Sequence, residues 1–126
     1  MVISIEKETK KVQLVDRYLI TTLLNLGIPA KNKGFVFSKE CAKIIYFNPI
    51  ARFNMNDYVF KQVANTYNTT ISKIERSIRH TISIITSQKS MKKLQEILHV
   101  NECFSLLHPS VCDFLCLLAE SISFYD

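Results

Sequence analysis

The chain has 126 residues, of which 48% are hydrophobic and only 2 are glycine and 3 proline, so it suits one compact domain with a proper core. Few turn formers and no Asn-Gly or Asp-Gly hairpin pair predict an all-α fold, a compact bundle of about six helices containing a helix-turn-helix. The charged start excludes a secretory signal, and Asp113 and Glu120 interrupt the C-terminal apolar run. We therefore expect a cytoplasmic protein with reduced cysteines and no membrane partner.

The N-terminal third of the chain predicts an arm followed by a helix. Residues 1–11 are charged and weakly patterned, which indicates a flexible arm ahead of a domain that occupies residues 12–126. Apolar residues recur at helical spacing over Val12–Leu26, and Gly27 supplies the left-handed conformation that ends a helix.

The next segment predicts a loop and a second helix. The loop at residues 30–34 carries Lys31 and Lys33, which either contact a DNA backbone or are simply solvated. Apolar residues over Phe35–Phe47 predict a helix that contributes to the core. This helix is expected to end before Pro49, which cannot continue it.

Residues 60–88 predict the helix-turn-helix. Asn56 is a candidate cap for its first helix, Asn68 tolerates the left-handed conformation at the turn, and Thr70 can cap the second helix. Ala64 is small enough to let the two helices cross closely. The second helix has an apolar stripe that should face the core: Ile71, Ile74, Ile78, Ile82 and Ile85.

The opposite side of the second helix is polar and cationic, and we call it the recognition face: Ser72, Lys73, Arg76, Arg79, His80 and Ser83. An Arg fork can bond to the O6 and N7 atoms of guanine, and hydroxyl and ammonium groups can bond to phosphates. Glu75 could accept from a cytosine amino group or orient Arg79 four residues on. The alternative is an ordinary solvated helix face.

The positive charge is concentrated around this unit. Residues 61–93 contain seven basic side chains and one acid, a net charge of +6, whereas the other residues hold 9 basic and 10 acidic side chains, a net charge of −1. Such a distribution is typical of a phosphate-binding surface. A basic membrane-surface helix would need large apolar groups for the lipid, and here the isoleucines are needed for the core.

Two further helices are predicted after the helix-turn-helix. Ser90 could cap a basic amphipathic helix whose Lys92 and Lys93 hold a phosphate. Ser110–Phe124, entered through Pro109, predicts a closing helix.

Three motifs carry a family resemblance. They are LGIPAKNKGFVF (Leu26–Phe37), YNTTISKIERSIRH (Tyr67–His80) and HPSVCDFLCLLAESI (His108–Ile122). The chain resembles, from about Leu14 to Ile122, the DNA-binding effector domain of stage-zero sporulation protein A, the sporulation regulator of endospore-forming Firmicutes.

This resemblance implies a sequence-specific, double-stranded DNA-binding regulator of sporulation or related stationary-phase and stress genes. It implies that Glu75, Arg76, Arg79 and His80 read the bases of boxes of the TGTCGAA type. The expected backbone contacts are Thr70, Ser72, Lys73, Ser83, Lys92 and Lys93. It also implies homodimers on tandem boxes.

The sequence departs from the family pattern in two places. The chain has no room for the family's receiver domain, so we expect regulation without receiver phosphorylation. The stretch Thr86–Val100 differs near the region where family members touch the polymerase sigma factor. RNA polymerase and a full-length sporulation regulator are therefore candidate partners rather than implied ones.

Three other function classes compete with DNA binding. His108, Cys112 and Cys116 share a helical spacing that zinc could use, and His99 and Cys103 form another such pair. Close Cys-x2-Cys pairs are absent, so no metal is expected. No phosphate loop or nucleophile elbow supports catalysis, so neither catalytic residues nor a cofactor is expected. The alternative function is a protein-interaction module that antagonises a full-length regulator without binding DNA.

Overall fold

The computed structural model describes residues 2–87, 91–98 and 109–125, and over these ranges the protein is all-α. These ranges contain six α-helices together with 3-10 and π-helical segments, which confirms the predicted fold class. The α-helices are α1 (Val2–Asn25), α2 (Lys33–Phe47), α3 (Lys61–Thr66), α4 (Ile71–Ser87), α5 (Met91–Leu98) and α6 (Val111–Ile122).

Helix α2 lies at the centre of the bundle and packs against α1, α4 and α6. The largest fully buried side chains come from all of these helices and their neighbours: Leu19, Leu23, Leu26, Ile28, Ile45, Phe60, Ile74, Ile78, Ile85, Leu94, Phe114 and Leu115. Within the described ranges, none of the helices combines the length and apolar character needed to cross a bilayer.

Helix α1 is longer than the sequence predicted. It begins at Val2 rather than at Val12, so the residues predicted as an arm continue the same helix, and their flexibility stays a prediction. No glycine or proline interrupts this stretch, and its Glu and Lys residues favour a helix. Residues 7–14 are exposed, and Val15 is the first described residue of α1 to enter the core. Helix α1 ends at Asn25, and Gly27 two residues later has the predicted left-handed conformation, with a φ of 86°.

The predicted cap at Asn56 is wrong. The chain is already helical from Pro49, through a 3-10 helix (Pro49–Asn54) that runs directly into a π-helical segment (Met55–Phe60). Asn56 therefore lies inside helical structure and has no free helix end to cap. Arg52 ties this connection to α6, because its Nη2 atom lies 2.7 Å from Oε1 of Glu120.

Cys41 gives the stability of the fold a pH dependence at the alkaline end. It is fully buried in α2, and burial, followed by the charge of Glu40, raises the pKa of its thiol above the ordinary value of 9.0. Because only the protonated thiol is tolerated in the core, the folded state keeps its full stability below about pH 9. Above that pH the free energy of unfolding should fall, by up to about 1.4 kcal/mol per pH unit.

Urea unfolding at about pH 8 and about pH 10 measures this effect, with Cys41→Ala as the control. The natural chain should lose more stability over this interval than the variant. The variant is destabilised by the cavity that replaces the sulfur atom, but by the same amount at both pH values. Equal losses would contradict the assignment to Cys41.

Candidate nucleic-acid interface

The turn between α3 and α4 has the predicted geometry. Asn68 has a φ of 52°, and the amide of Thr69 donates to the carbonyl oxygen of Ala64 at 2.9 Å, which closes the end of α3. The hydroxyl oxygen of Thr70 then accepts from the amide of Lys73 at 3.2 Å and caps α4. These local bonds fix the direction in which α4 leaves the turn.

The predicted apolar stripe of α4 faces the core. Ile74, Ile78, Ile82 and Ile85 are buried, and Ile71 at the first position is half-buried. Because this stripe anchors the helix to α2 and α6, its other side is left toward solvent.

The residues predicted to read bases are brought together on the solvent side of α4. Arg76, Arg79 and His80 are exposed, and Glu75 is half-buried at the edge of the face. Arg79 and Glu75 are 3.9 Å apart between Nη2 and Oε2, too long for a hydrogen bond, and the Arg79 side chain is 69% exposed. Both arginines can therefore turn their guanidinium groups toward a ligand. Contact with bases remains a prediction.

The residues predicted to contact the DNA backbone divide into two groups. Thr70, Ser72, Lys73 and Ser83 are exposed on α4 or at its start, so they surround the base-reading residues. The Ser83 hydroxyl donates to the carbonyl oxygen of His80 at 2.7 Å, which leaves its oxygen able to accept. The second group, Lys92 and Lys93, is exposed in the first turn of α5, and its place beside the recognition face remains a prediction.

A cleft beside the recognition face was not predicted from the sequence. It has a volume of about 480 Å³ and lies between the start of α2, the turn and α4. We call it the α2–α4 cleft, and the side chains that define it are Lys33, Phe37, Tyr67, Thr69, Lys73 and Arg76. Lys33 and Lys31 were predicted together as loop residues, but Lys33 begins α2 and lines the cleft, whereas Lys31 precedes the helix.

Gly34 sets the separation of the two helices that form this cleft. A Cβ atom at this position would overlap with Oγ1 of Thr81 and with the carbonyl oxygen of Ser77. The backbone of α2 therefore lies directly against α4, as only glycine permits. Gly34, the second glycine of the first motif, was the sequence signal for this close approach.

The rival zinc site is only partly described. His108 lies outside the described residues, as do His99 and Cys103, while Cys112 is exposed and Cys116 half-buried on α6. Partial desolvation by neighbouring groups raises the pKa of both described thiols, which disfavours the thiolate that a metal or a nucleophilic reaction would need. Within the described ranges, no group of three or more His, Cys, Asp or Glu side chains could hold a metal ion.

A comparison with known protein families agrees with the geometry of α3 and α4. A family model described as Sporulation initiation factor Spo0A C terminal matches residues 19–122, which include the helix-turn-helix, the α2–α4 cleft and α6. The family consists of DNA-binding effector domains of sporulation regulators and is not an enzyme family. Since the match covers most of the chain, the protein belongs to the family of Spo0A C-terminal, DNA-binding domains.

Proposed function

We propose that the protein is a sequence-specific transcriptional regulator of sporulation or of related stationary-phase and stress genes. The observation that carries the proposal is the exposure of Arg76, Arg79 and His80 on one side of a helix whose other side is buried. A helix in this position of a helix-turn-helix enters the major groove, where its exposed side chains meet the base edges.

Each base-reading residue has a distinct proposed role. Arg76 and Arg79 each offer a planar fork of donors, which suits the O6 and N7 acceptors of guanine. His80 can donate through a ring nitrogen. Glu75 would either accept from a cytosine amino group or limit the range of Arg79 positions, as their 3.9 Å separation allows.

Further parts of the proposal concern partners and control. Tandem boxes would place two copies side by side on DNA, and RNA polymerase or a full-length sporulation regulator would be the protein partner. The recognition face is exposed to solvent, and this exposure supports DNA binding that needs no receiver phosphorylation. DNA as the ligand implies a cytoplasmic, nucleoid-associated location.

An electrophoretic shift assay tests the main proposal. Purified protein should shift labelled duplex that contains a TGTCGAA-type box and should bind a scrambled duplex of equal composition much more weakly at the same salt concentration. No shift of either duplex would favour the alternative, an interaction module that antagonises a full-length regulator without touching DNA.

Arg76→Ala is expected to weaken binding to the cognate box by about 1 to 3 kcal/mol and to relax specificity at one base pair. The reason is the loss of one bidentate base contact from the middle of the recognition face. Titration of wild-type and variant protein against single-base variants of the box measures both effects.

Lys92→Ala provides the contrast for this measurement. It should weaken binding to all DNA sequences alike, because a phosphate contact carries no base information. It should also reduce the slope of log affinity against log salt concentration by about one. If both variants lost the same affinity on cognate and scrambled duplexes, the division into base and backbone contacts would be wrong.

A further inference from the structure

The α2–α4 cleft gathers positive charge from two separate helices. Lys33 comes from the start of α2, while Lys73 and Arg76 come from α4. No carboxylate is among the described residues that line it. The charge of Glu40 acts on Tyr67, but Glu40 does not line the cleft. An anion that entered the cleft would therefore relieve the repulsion among the three cations.

We propose that the α2–α4 cleft binds one phosphodiester group of the DNA backbone, at the edge of the groove that α4 enters. This inference rests on the proposed function, decides for Lys33 between the backbone contact and the solvated loop that the sequence left open, and adds Tyr67 and Thr69 to the DNA-contacting residues. Phosphate contacts fix the register of a protein on the duplex, whereas base contacts specify sequence. Lys33 therefore acts as a positioning residue for the arginines of α4.

The floor and wall of the cleft suit a phosphate that is attached to a sugar. The rings of Phe37 and Tyr67 meet edge to face, with centroids 5.6 Å apart and planes at 72°. Phe37 is buried, but Tyr67 is 42% exposed, so an apolar surface is available for deoxyribose carbon atoms. The Thr69 hydroxyl can donate to a phosphate oxygen.

The packing of α2 on α4 keeps Lys33 at a fixed distance from the recognition face. Gly34 follows Lys33 directly and lies against Ser77 and Thr81 of α4. The side chain of Asn32 also accepts from the amide of Gly34 at 3.1 Å, which fixes the start of α2. A phosphate held by Lys33 would consequently fix the depth and register of Arg76 in the groove.

The test compares Lys33→Gln with Lys31→Gln in the full 126-residue chain. Both lysines are exposed and two positions apart, and both changes remove one charge, but only Lys33 lines the cleft. We expect Lys33→Gln to weaken binding to the cognate box roughly five- to tenfold at low salt and to reduce the salt slope by about one. Lys31→Gln should leave both quantities close to those of the natural chain.

A scan with single methylphosphonate groups, which lack the phosphate charge, identifies the contacted phosphate. One position should weaken binding by the natural chain more than it weakens binding by Lys33→Gln, because the variant has already lost one of the contacts to that phosphate while Lys73 and Arg76 remain. Equal effects of the two lysine changes, or no effect of Lys33→Gln, would overturn the cleft proposal while DNA binding by the natural chain still supported the proposed function. Failure of the natural chain to bind the cognate box would overturn both.

Discussion

Ile74→Asp is expected to unfold the protein or to lower its free energy of unfolding by more than about 4 kcal/mol. Ile74 is fully buried beneath the first turns of α4, so the new carboxylate would have neither water nor a cation as a partner. Since a domain of this size is stable by only about 5 to 15 kcal/mol, one such change removes much of the total. Far-ultraviolet circular dichroism and urea unfolding measure the loss.

Ser72→Asp is the matched control for this substitution. It adds the same charge to the same helix two residues earlier, but Ser72 is exposed, and an acid in the first turn of a helix is tolerated or favourable. Its free energy of unfolding should change by less than about 1 kcal/mol, while its negative charge should weaken DNA binding. A folded Ile74→Asp chain as stable as Ser72→Asp would show that α4 is not anchored through its isoleucine stripe.

The parts of the fold that the sequence predicted are those set by local chemistry. The isoleucine period of α4, the left-handed residues Gly27 and Asn68, and the cap at Thr70 each depend on a few neighbouring residues. The start of α1 was missed because apolar periodicity reports burial, and residues 7–11 are helical without being buried. A stretch of good helix formers without a breaker leaves no such signal.

The parts that could not be predicted depend on contacts between distant residues. The π-helical segment Met55–Phe60 follows directly from a 3-10 helix, so the capping rule applied to Asn56 had no helix end to act on. The α2–α4 cleft joins Lys33 to Lys73, and only the packed helices bring them to one surface. The recognition face, in contrast, lies on one helix, so its members could be grouped by periodicity alone.

Gly34→Ala is expected to cost at least about 2 kcal/mol of stability. In an unhindered helix, alanine would be more favourable than glycine by about 1 kcal/mol, so a loss must come from the helix crossing. The new methyl group would overlap with Oγ1 of Thr81 and with the backbone oxygen of Ser77. The Thr81 side chain can be removed, but the backbone oxygen cannot yield without moving α4 away from α2.

A double-mutant cycle with Thr81→Ala separates these two overlaps. The pair Gly34→Ala and Thr81→Ala should recover part of the lost stability and not all of it, because Ser77 still obstructs the methyl group. Gly27→Ala is the control for glycine chemistry, since its φ of 86° strains alanine by about 1 to 2 kcal/mol through backbone conformation. We expect Gly34→Ala also to weaken DNA binding in its remaining folded fraction, because separating the helices moves Lys33 away from the recognition face. Full recovery in the double variant would place the whole obstruction at the Thr81 hydroxyl. It would show that the backbones of α2 and α4 can accommodate the methyl group without moving apart.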